Sequence, residues 1–481
     1  MKRTLQVLLL LITLGFVGSA MAVDFAVHGD MNNRALIYTN HNDWLDPDQQ
    51  GKISDGTVKD EYAELKYRFW FEAASNDQNL KGVYAIEIGG IRFGRSGSGK
   101  GQGGSFSGDG VNLETRWAYT DFQIPAVERS ARFRVGLMPV KVNSYLWQET
   151  AAGVNFSSDV WDIDYQLAWI RGYEDLARDR DTDDIRDLDF FHGRLNPELM
   201  DDLDTGFFVL YGTGDATDPQ DLSNDFPGVP PGVGRVTPRD YQIKVIGDTI
   251  ESDFWTIGLD GGYKFGDFFL KWDLMYQSGD LENIFFDDSE FSGSTRVDDF
   301  DLSAYLAHLD FGMNLRQAKL TYSFWYASGD DDPDDSDFDA FIAIDLDRDD
   351  SIALFEGLYS DDVTYFTERP YVLDKGFVMN KLALDYQFTD KFKAGCALLY
   401  MLTAEDIEYT DFNGRSQADD TIGFEIDGYF TYMLYKNLEL SVNAGYLFAD
   451  DALDAFEEGD LRDGSSDENI FGSSMRLRYK F

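Results

Sequence analysis

Apolar and polar residues alternate with a period of two along most of the chain. In "YAELKYRFWFEA" from Tyr62, the residues Ala63, Leu65, Tyr67, Phe69, Phe71 and Ala73 share one face, while Glu64, Lys66, Arg68, Trp70 and Glu72 share the other. Such segments come in pairs joined by tight turns. Ile257, Leu259, Tyr263 and Phe265 lead into Gly266-Asp267, and Leu270, Trp272, Leu274 and Tyr276 lead away. Leu384, Tyr386 and Phe388 pair in the same way with Ala394, Cys396 and Leu398. Between the pairs lie long polar connections: 40–59, the Gly/Ser-rich stretch around Lys100, 213–252, 280–298, 329–376 and 450–468.

The pattern predicts an all-β chain of eighteen antiparallel strands. Their approximate spans are 24–38, 61–74, 82–94, 111–123, 131–139, 151–159, 161–171, 185–194, 204–213, 253–265, 268–279, 300–312, 316–328, 377–388, 391–402, 420–434, 438–448 and 469–481. The sixth and eighth are weakly patterned, so sixteen strands is the alternative. An even count returns both termini to the side of the tight turns and puts the long loops on the far side. "YGTGD" at Tyr211, "YQSGD" at Tyr276, "YASGD" at Tyr326 and "YLFAD" at Tyr446 then all end strands at the loop rim. There a tyrosine ring sits in an apolar layer with its hydroxyl among headgroups, and the aspartate opens a solvated loop.

The charged face decides between a soluble barrel and one that spans a membrane. Lys66, Arg68, Arg116, Arg132, Arg134, Lys264, Lys271, Asp273, Asp385, Glu425 and Asp427 would be buried in a small soluble barrel. In a wide, water-filled barrel with its apolar face toward lipid they cost little, and they become candidate pore-lining residues. The loop that follows the fifth strand, 141–153, is too apolar for an outer loop; Tyr145, Trp147 and Glu149 are candidates either to pack on the rim or, as the family resemblance given below implies, to fold into the lumen as a constriction.

The first 22 residues pair Lys2 and Arg3 with an apolar run from Leu5 to Val17 and end on Ala20-Met21-Ala22, which reads as a cleaved secretory signal. The barrel is assigned to 23–481. No later apolar run approaches the ~20 residues of a spanning helix. Cys396 is the single cysteine, so no internal disulfide forms.

The chain holds 88 acidic and 41 basic residues, a formal net charge of −47, which argues against nucleic acid as a partner. Its 15% aromatic content argues against disorder. Much of the acid lies in the run from Asp330 to Asp350, expected to be a solvated outer loop. Within it Asp345, Asp347 and Asp349 are weak candidates for divalent-cation ligands, although no EF-hand spacing is present. His28, His41, His192 and His308 are dispersed, and no "GxSxG" occurs. No cofactor and no enzymatic activity are expected.

The last strand, "SSMRLRYKF", sets Met475, Leu477, Tyr479 and Phe481 against Arg476, Arg478 and Lys480 and stops on phenylalanine. It resembles the terminal strand by which outer-membrane barrels of Gram-negative bacteria are recognised by the barrel-assembly machinery. The whole mature chain resembles Gram-negative porins, and most of all alginate-export-type porins, through "ETRWAYTDF" at Glu114, "RFRVGLMPV" at Arg132 and "YASGDDDPDDSDF" at Tyr326. The resemblance implies a monomeric eighteen-stranded channel in the outer membrane with a lumen lined by arginine and lysine. Its neighbours would be outer-membrane lipid and lipopolysaccharide, and small hydrophilic solutes would pass through it. A weak anion preference or carbohydrate selectivity is expected, because Arg68, Arg116, Arg132 and Arg134 form a stripe on one wall, opposite Glu425, Asp427 and Glu439. The rival readings are a barrel sheath around a partner protein and a loop-mediated adhesion or receptor protein. A protease acting on intact cells is expected to cut 329–376 and to spare Gly266-Asp267.

Overall fold

The computed structural model describes residues 23–40, 59–96, 103–106, 113–125, 127, 130–160, 163–174, 187–214, 234–236, 251–288, 294–332, 335–346, 348–354, 371, 374–457, 461–466 and 469–481. Residues 1–22, expected to be a secretory signal, lie outside the described residues. One sheet of 20 segments closes on itself, and two of these, Gly234–Val236 and Asp337–Phe338, are short strips lying parallel on longer strands. Eighteen antiparallel strands remain. They are β1 (Val23–Thr39), β2 (Lys59–Ser75), β3 (Leu80–Arg92), β4 (Leu113–Gln123), β5 (Ala131–Asn143) and β6 (Trp147–Val160). Then follow β7 (Ile163–Glu174), β8 (Asp187–Pro197), β9 (Leu203–Gly214), β10 (Glu251–Phe265), β11 (Phe268–Asp288) and β12 (Ser294–Leu315). The last six are β13 (Ala318–Ala327), β14 (Phe377–Thr389), β15 (Phe392–Thr410), β16 (Ser416–Tyr435), β17 (Leu438–Ala449) and β18 (Ile470–Lys480). Both weakly patterned strands are present, as β6 and β8.

Closure runs through β1, which pairs with β2 along its whole length and with β18 from Asp30↔Lys480 to Thr39↔Phe471. The terminal residue completes the seam. Phe481 exchanges two backbone hydrogen bonds of 3.0 Å with Gly29, and its ring fills the space that a side chain at Gly29 would need, 2.4 Å from an ideal Cβ. Ion pairs Asp30–Arg478 and Arg34–Glu64 stitch the inner face of the same seam.

The outer face is apolar all round. Ile257, Leu274, Tyr322, Leu382, Leu398 and Ile426 are exposed on it, as is Cys396. Aromatic rings gather at both ends. Phe265, Phe268 and Phe311 stack at 5.6 and 6.0 Å beside the tight turns. At the loop rim Tyr211 stacks on Trp255 at 4.4 Å, and Tyr305 on Tyr326 at 5.6 Å. The rim tyrosines Tyr211, Tyr276 and Tyr446 all point outward, where lipid would contact them. The chain is therefore a transmembrane β-barrel, since only a closed barrel satisfies strand backbones in lipid.

Three loop expectations are corrected. The region 280–298 is mostly strand, because β11 and β12 continue past the rim as a long hairpin. The segment 141–153 is no loop: β5 and β6 pair to Asn143↔Trp147, which leaves only a three-residue turn at 144–146. The acidic segment after β13 is a solvated outer loop only in its first part, where Asp331, Asp332, Asp335 and Asp337 are exposed. Beyond that part Ala340, Phe341, Ile342, Ala343, Ile344, Leu346, Ile352, Ala353 and Leu354 are buried inside the barrel. The expected cleavage within 329–376 is thus removed for residues 338–346 and 351–354.

Arginine at Leu382, on the lipid face of β14, should destabilise the barrel by roughly 2–4 kcal/mol. Arginine at Thr321, on the lumen face of β13, should cost less than about 1 kcal/mol. Urea titration in lipid vesicles measures both; equal costs would contradict the assignment of faces.

Candidate functional site: a divided lumen

Because side chains alternate, the register fixes which residues reach the lumen. All eleven charged residues assigned to the polar face lie on strands whose opposite face is apolar, and all project inward. Their surroundings differ from one part of the barrel to another.

The first wall is built by β18 and β1–β6 and is ionic. Glu87 on β3 receives Lys66 at 3.2 Å and Arg68 at 2.5 Å from β2, and Arg116 at 3.5 Å from β4. The other guanidinium nitrogen of Arg116 lies 3.5 Å from Glu149 on β6. Asp121 on β4 takes both Arg132 at 2.6 Å and Arg134 at 3.2 Å from β5. Rings sit among these charges: Trp70 packs edge-on to Trp117 at 6.1 Å, and Arg134 lies over Tyr119 at 4.8 Å. The arginine stripe is real in position, but its charge is partly neutralised in place.

The second wall runs from β7 to β17 and is apolar toward the loop side. Phe190, Phe208, Leu210, Phe254, Met275, Leu306, Trp325, Met379, Leu399 and Met401 form one buried cluster with the inner loop 338–354. Inward glycines make room for the rings, since the Phe208 ring fills the space over Gly258. The loop is held at defined points. Gln277 on β11 both donates to the Ile342 carbonyl and accepts from its N–H, each at 2.9 Å. Glu425 on β16 accepts from Ser351 Oγ at 2.6 Å and from the N–H groups of Ile352 and Ala353 at 2.8 and 2.9 Å. Glu425 and Asp427, 0% and 3% exposed, are therefore loop anchors or covered residues, which corrects their assignment to the open pore surface.

The β5–β6 tip crosses the lumen to meet this wall. Asn143 donates to Asp273 on β11 at 2.6 Å and to Asp260 on β10 at 3.2 Å. Tyr145 stacks on His308 of β12 at 4.4 Å, and Arg348 of the inner loop lies 4.0 Å over the Tyr145 ring. Burial first, with Arg348 opposing it, pushes the Tyr145 phenol well above its ordinary value, so it stays neutral. Trp147 packs on Phe190 at 4.8 Å, and Gln148 donates to the Asp345 carbonyl of the inner loop at 3.0 Å. His308 also bonds Asp273 at 2.9 Å and Asp310 at 3.2 Å.

Lys264 and Lys271 stand elsewhere, near the tight-turn mouth. With Lys319, whose ammonium lies 4.7 Å over Phe269, they border a cavity of about 1010 Å³ that also meets Asp201, Asp202 and Asp204. Of the candidate divalent ligands, Asp345 is buried, Asp349 is exposed and Asp347 lies outside the described residues. Among the described residues no three potential ligands converge.

The inner loop was missed as a lumen element, although a signal existed. "AFIAI" from Ala340 and "SIAL" from Ser351 are apolar runs within an acidic segment. The apolar run "CALLYML" at Cys396 carried the matching half of the signal, because Leu398 and Tyr400 face outward while Ala397, Leu399 and Met401 face the loop.

Two solved outer-membrane porins of Pseudomonas aeruginosa share this architecture. OccK8 (OprE) matches with a TM-score of 0.52 and 12% identity, over 95% of this chain and 98% of its own. OpdL matches with a TM-score of 0.51 and 10% identity, over 95% and 99%. At that identity the likeness establishes the fold, a closed eighteen-stranded antiparallel barrel. No family model matches the chain, and no curated protein is similar to it in sequence.

Removing the Glu425 carboxylate withdraws three hydrogen bonds from the inner loop, each worth roughly 1.5–3 kcal/mol for a charged acceptor. Glu425→Ala should raise the rate at which a broad-specificity protease cleaves 336–354 in the detergent-purified barrel at least about tenfold. An unchanged rate would show that the loop is held by its apolar contacts alone.

Proposed function

We propose that the chain is a passive channel of the Gram-negative outer membrane through which small hydrophilic solutes diffuse, with a weak preference for anions. One observation carries this reading. The inner loop covers the β7–β17 wall on the loop side, while guanidinium and ammonium groups on β2–β5 stay in partial contact with water, Arg68 and Arg134 with about a third of their side chains exposed. Solutes are thereby confined to the ionic wall, where Lys66, Arg68, Arg116, Arg132 and Arg134 outnumber Glu87, Asp121 and Glu149. Tyr145, Trp147 and Glu149 belong to the narrowing as the tip that meets the inner loop. Lys264 and Lys271 would bias the turn-side mouth.

Carbohydrate selectivity is a second reading. It is favoured by the rings of Trp70, Trp117 and Tyr119 among the cations, since flat aromatic faces suit the apolar faces of sugars. The narrower likeness to alginate-export-type porins draws its support from the same wall. A sheath around a partner protein is disfavoured, because the inner loop takes up space that a threaded partner would need. Lipid and lipopolysaccharide would surround the apolar face, and the strand ending at Phe481 would be the segment offered to the barrel-assembly machinery.

Purified protein in planar bilayers should give stable conductance steps. Reversal potentials under a salt gradient should show a lumen close to neutral or weakly anion-preferring, with the preference reduced by Arg116→Ala and by Arg134→Ala. Marked cation selectivity at high salt, unchanged by either substitution, would remove the ionic wall from the permeation path.

A further inference from the structure

On the wall to which that reading confines solutes, the geometry points to Glu87 as the residue that sets charge selectivity: it is the built-in counter-ion that decides how much of the wall's positive charge a passing solute meets. This rests on the channel reading and goes beyond it by assigning the selectivity to a buried carboxylate rather than to the arginines.

The arrangement is layered. Glu87 is 4% exposed, whereas Arg68 and Arg116 keep 32% and 24% of their side chains in contact with water. The carboxylate lies behind Arg68 and Arg116, so a solute reaches these guanidinium groups and not Glu87, with Glu149, 32% exposed, beside them. Space for the carboxylate comes from Gly89 on the same strand, where a Cβ would stand 2.7 Å from Glu87 Oε1. Three cations contact this one carboxylate, which lies in register with Glu114 on β4. The neighbouring cluster, Arg132 and Arg134 on Asp121, carries an excess of one positive charge.

Within the Glu87 cluster the contacts are unequal. Arg68 is held at 2.5 Å through Nε, while Arg116 is divided between Glu87 and Glu149 at 3.5 Å each. Arg116 is thus the most loosely held guanidinium of the group and the one able to turn toward an anion. A carboxylate or phosphate group on a solute would compete with Glu87 for the same donors, so the strength of this internal pairing tunes the attraction. An unmatched wall would hold anions too tightly to release them; conduction needs binding weak enough to leave.

The test uses the full-length protein in planar bilayers under a potassium chloride gradient. Glu87→Gln keeps the side-chain shape and one acceptor oxygen while removing the charge. It should raise the anion-to-cation permeability ratio about fivefold, the effect of one unit charge at ~4 Å in water. The double substitution Lys66→Gln with Glu87→Gln restores the net charge of the cluster and should return the ratio toward that of the wild type. A role confined to stability would not give that return. The double variant also decides the matter if the single one fails to fold, since a ratio far from the wild-type value would count against the assignment. Wild-type conductance steps with a ratio unmoved by Glu87→Gln would overturn this inference alone. Absence of steps from the wild type would overturn the channel reading and this inference with it.

Discussion

Everything in this molecule follows from the closure of β1 onto β18. In a bilayer no water is available to satisfy a free strand edge, so the last strand must find the first in a single register. The pairing from Asp30↔Lys480 to Thr39↔Phe471, finished by Phe481 on Gly29, is that solution. Once it is set, every second residue of every strand is assigned to lipid or to lumen. A shift by one residue would turn Arg476 and Arg478 toward the hydrocarbon and Met475 and Leu477 toward the lumen.

The lumen then presents one problem with two answers. Charged groups on β1–β6 and β18 are kept by pairing them across strands, as in Arg34–Glu64, Glu87 with its three cations and Asp121 with its two. From β7 to β17 the wall is apolar near the loop side and is kept from water by folding chain onto it. Both answers depend on a few buried polar groups. Glu425 and Gln277 satisfy the backbone of the inner loop, and Asn143 with Asp273 and His308 seats the β5–β6 tip. The formal charge of −47 therefore says little about the permeation path. The acid nearest the loop rim lies where screening over about 8 Å separates it from the narrow region.

The strands were legible because lipid enforces a period of two more strictly than a globular core does. The Tyr-x-x-Gly-Asp motifs at Tyr211 and Tyr326 were legible for the same reason, closing β9 and β13 where the apolar layer stops, whereas β11 runs past the one at Tyr276 to Asp288. Loop structure was less legible, since no comparable periodicity governs it. The acid of 330–350 outweighed the short apolar runs Phe341–Ile344 and Ile352–Leu354 on any average, although those runs decide where the segment goes. Tyr145 and Trp147 were singled out by their apolar character, yet the hairpin that carries them was taken for a loop. Pairing of individual charges was beyond reach, because the partners of Glu87 come from two other strands whose register depends on bulges near Leu65/Tyr67 and Ala85/Ile86.

The division of the lumen is the central claim, and thiol accessibility tests it most directly. In a Cys396→Ser background, single cysteines at Ser157, beside Arg132 on the ionic wall, and at Thr256, 0% exposed beneath the inner loop, would be treated with a charged, membrane-impermeant thiol reagent during single-channel recording. The account predicts that the cysteine at 157 reacts and lowers the current in steps, while the cysteine at 256 leaves it unchanged. Equal reaction at both positions would contradict it, because water and solutes would then reach the wall that the inner loop is described as covering.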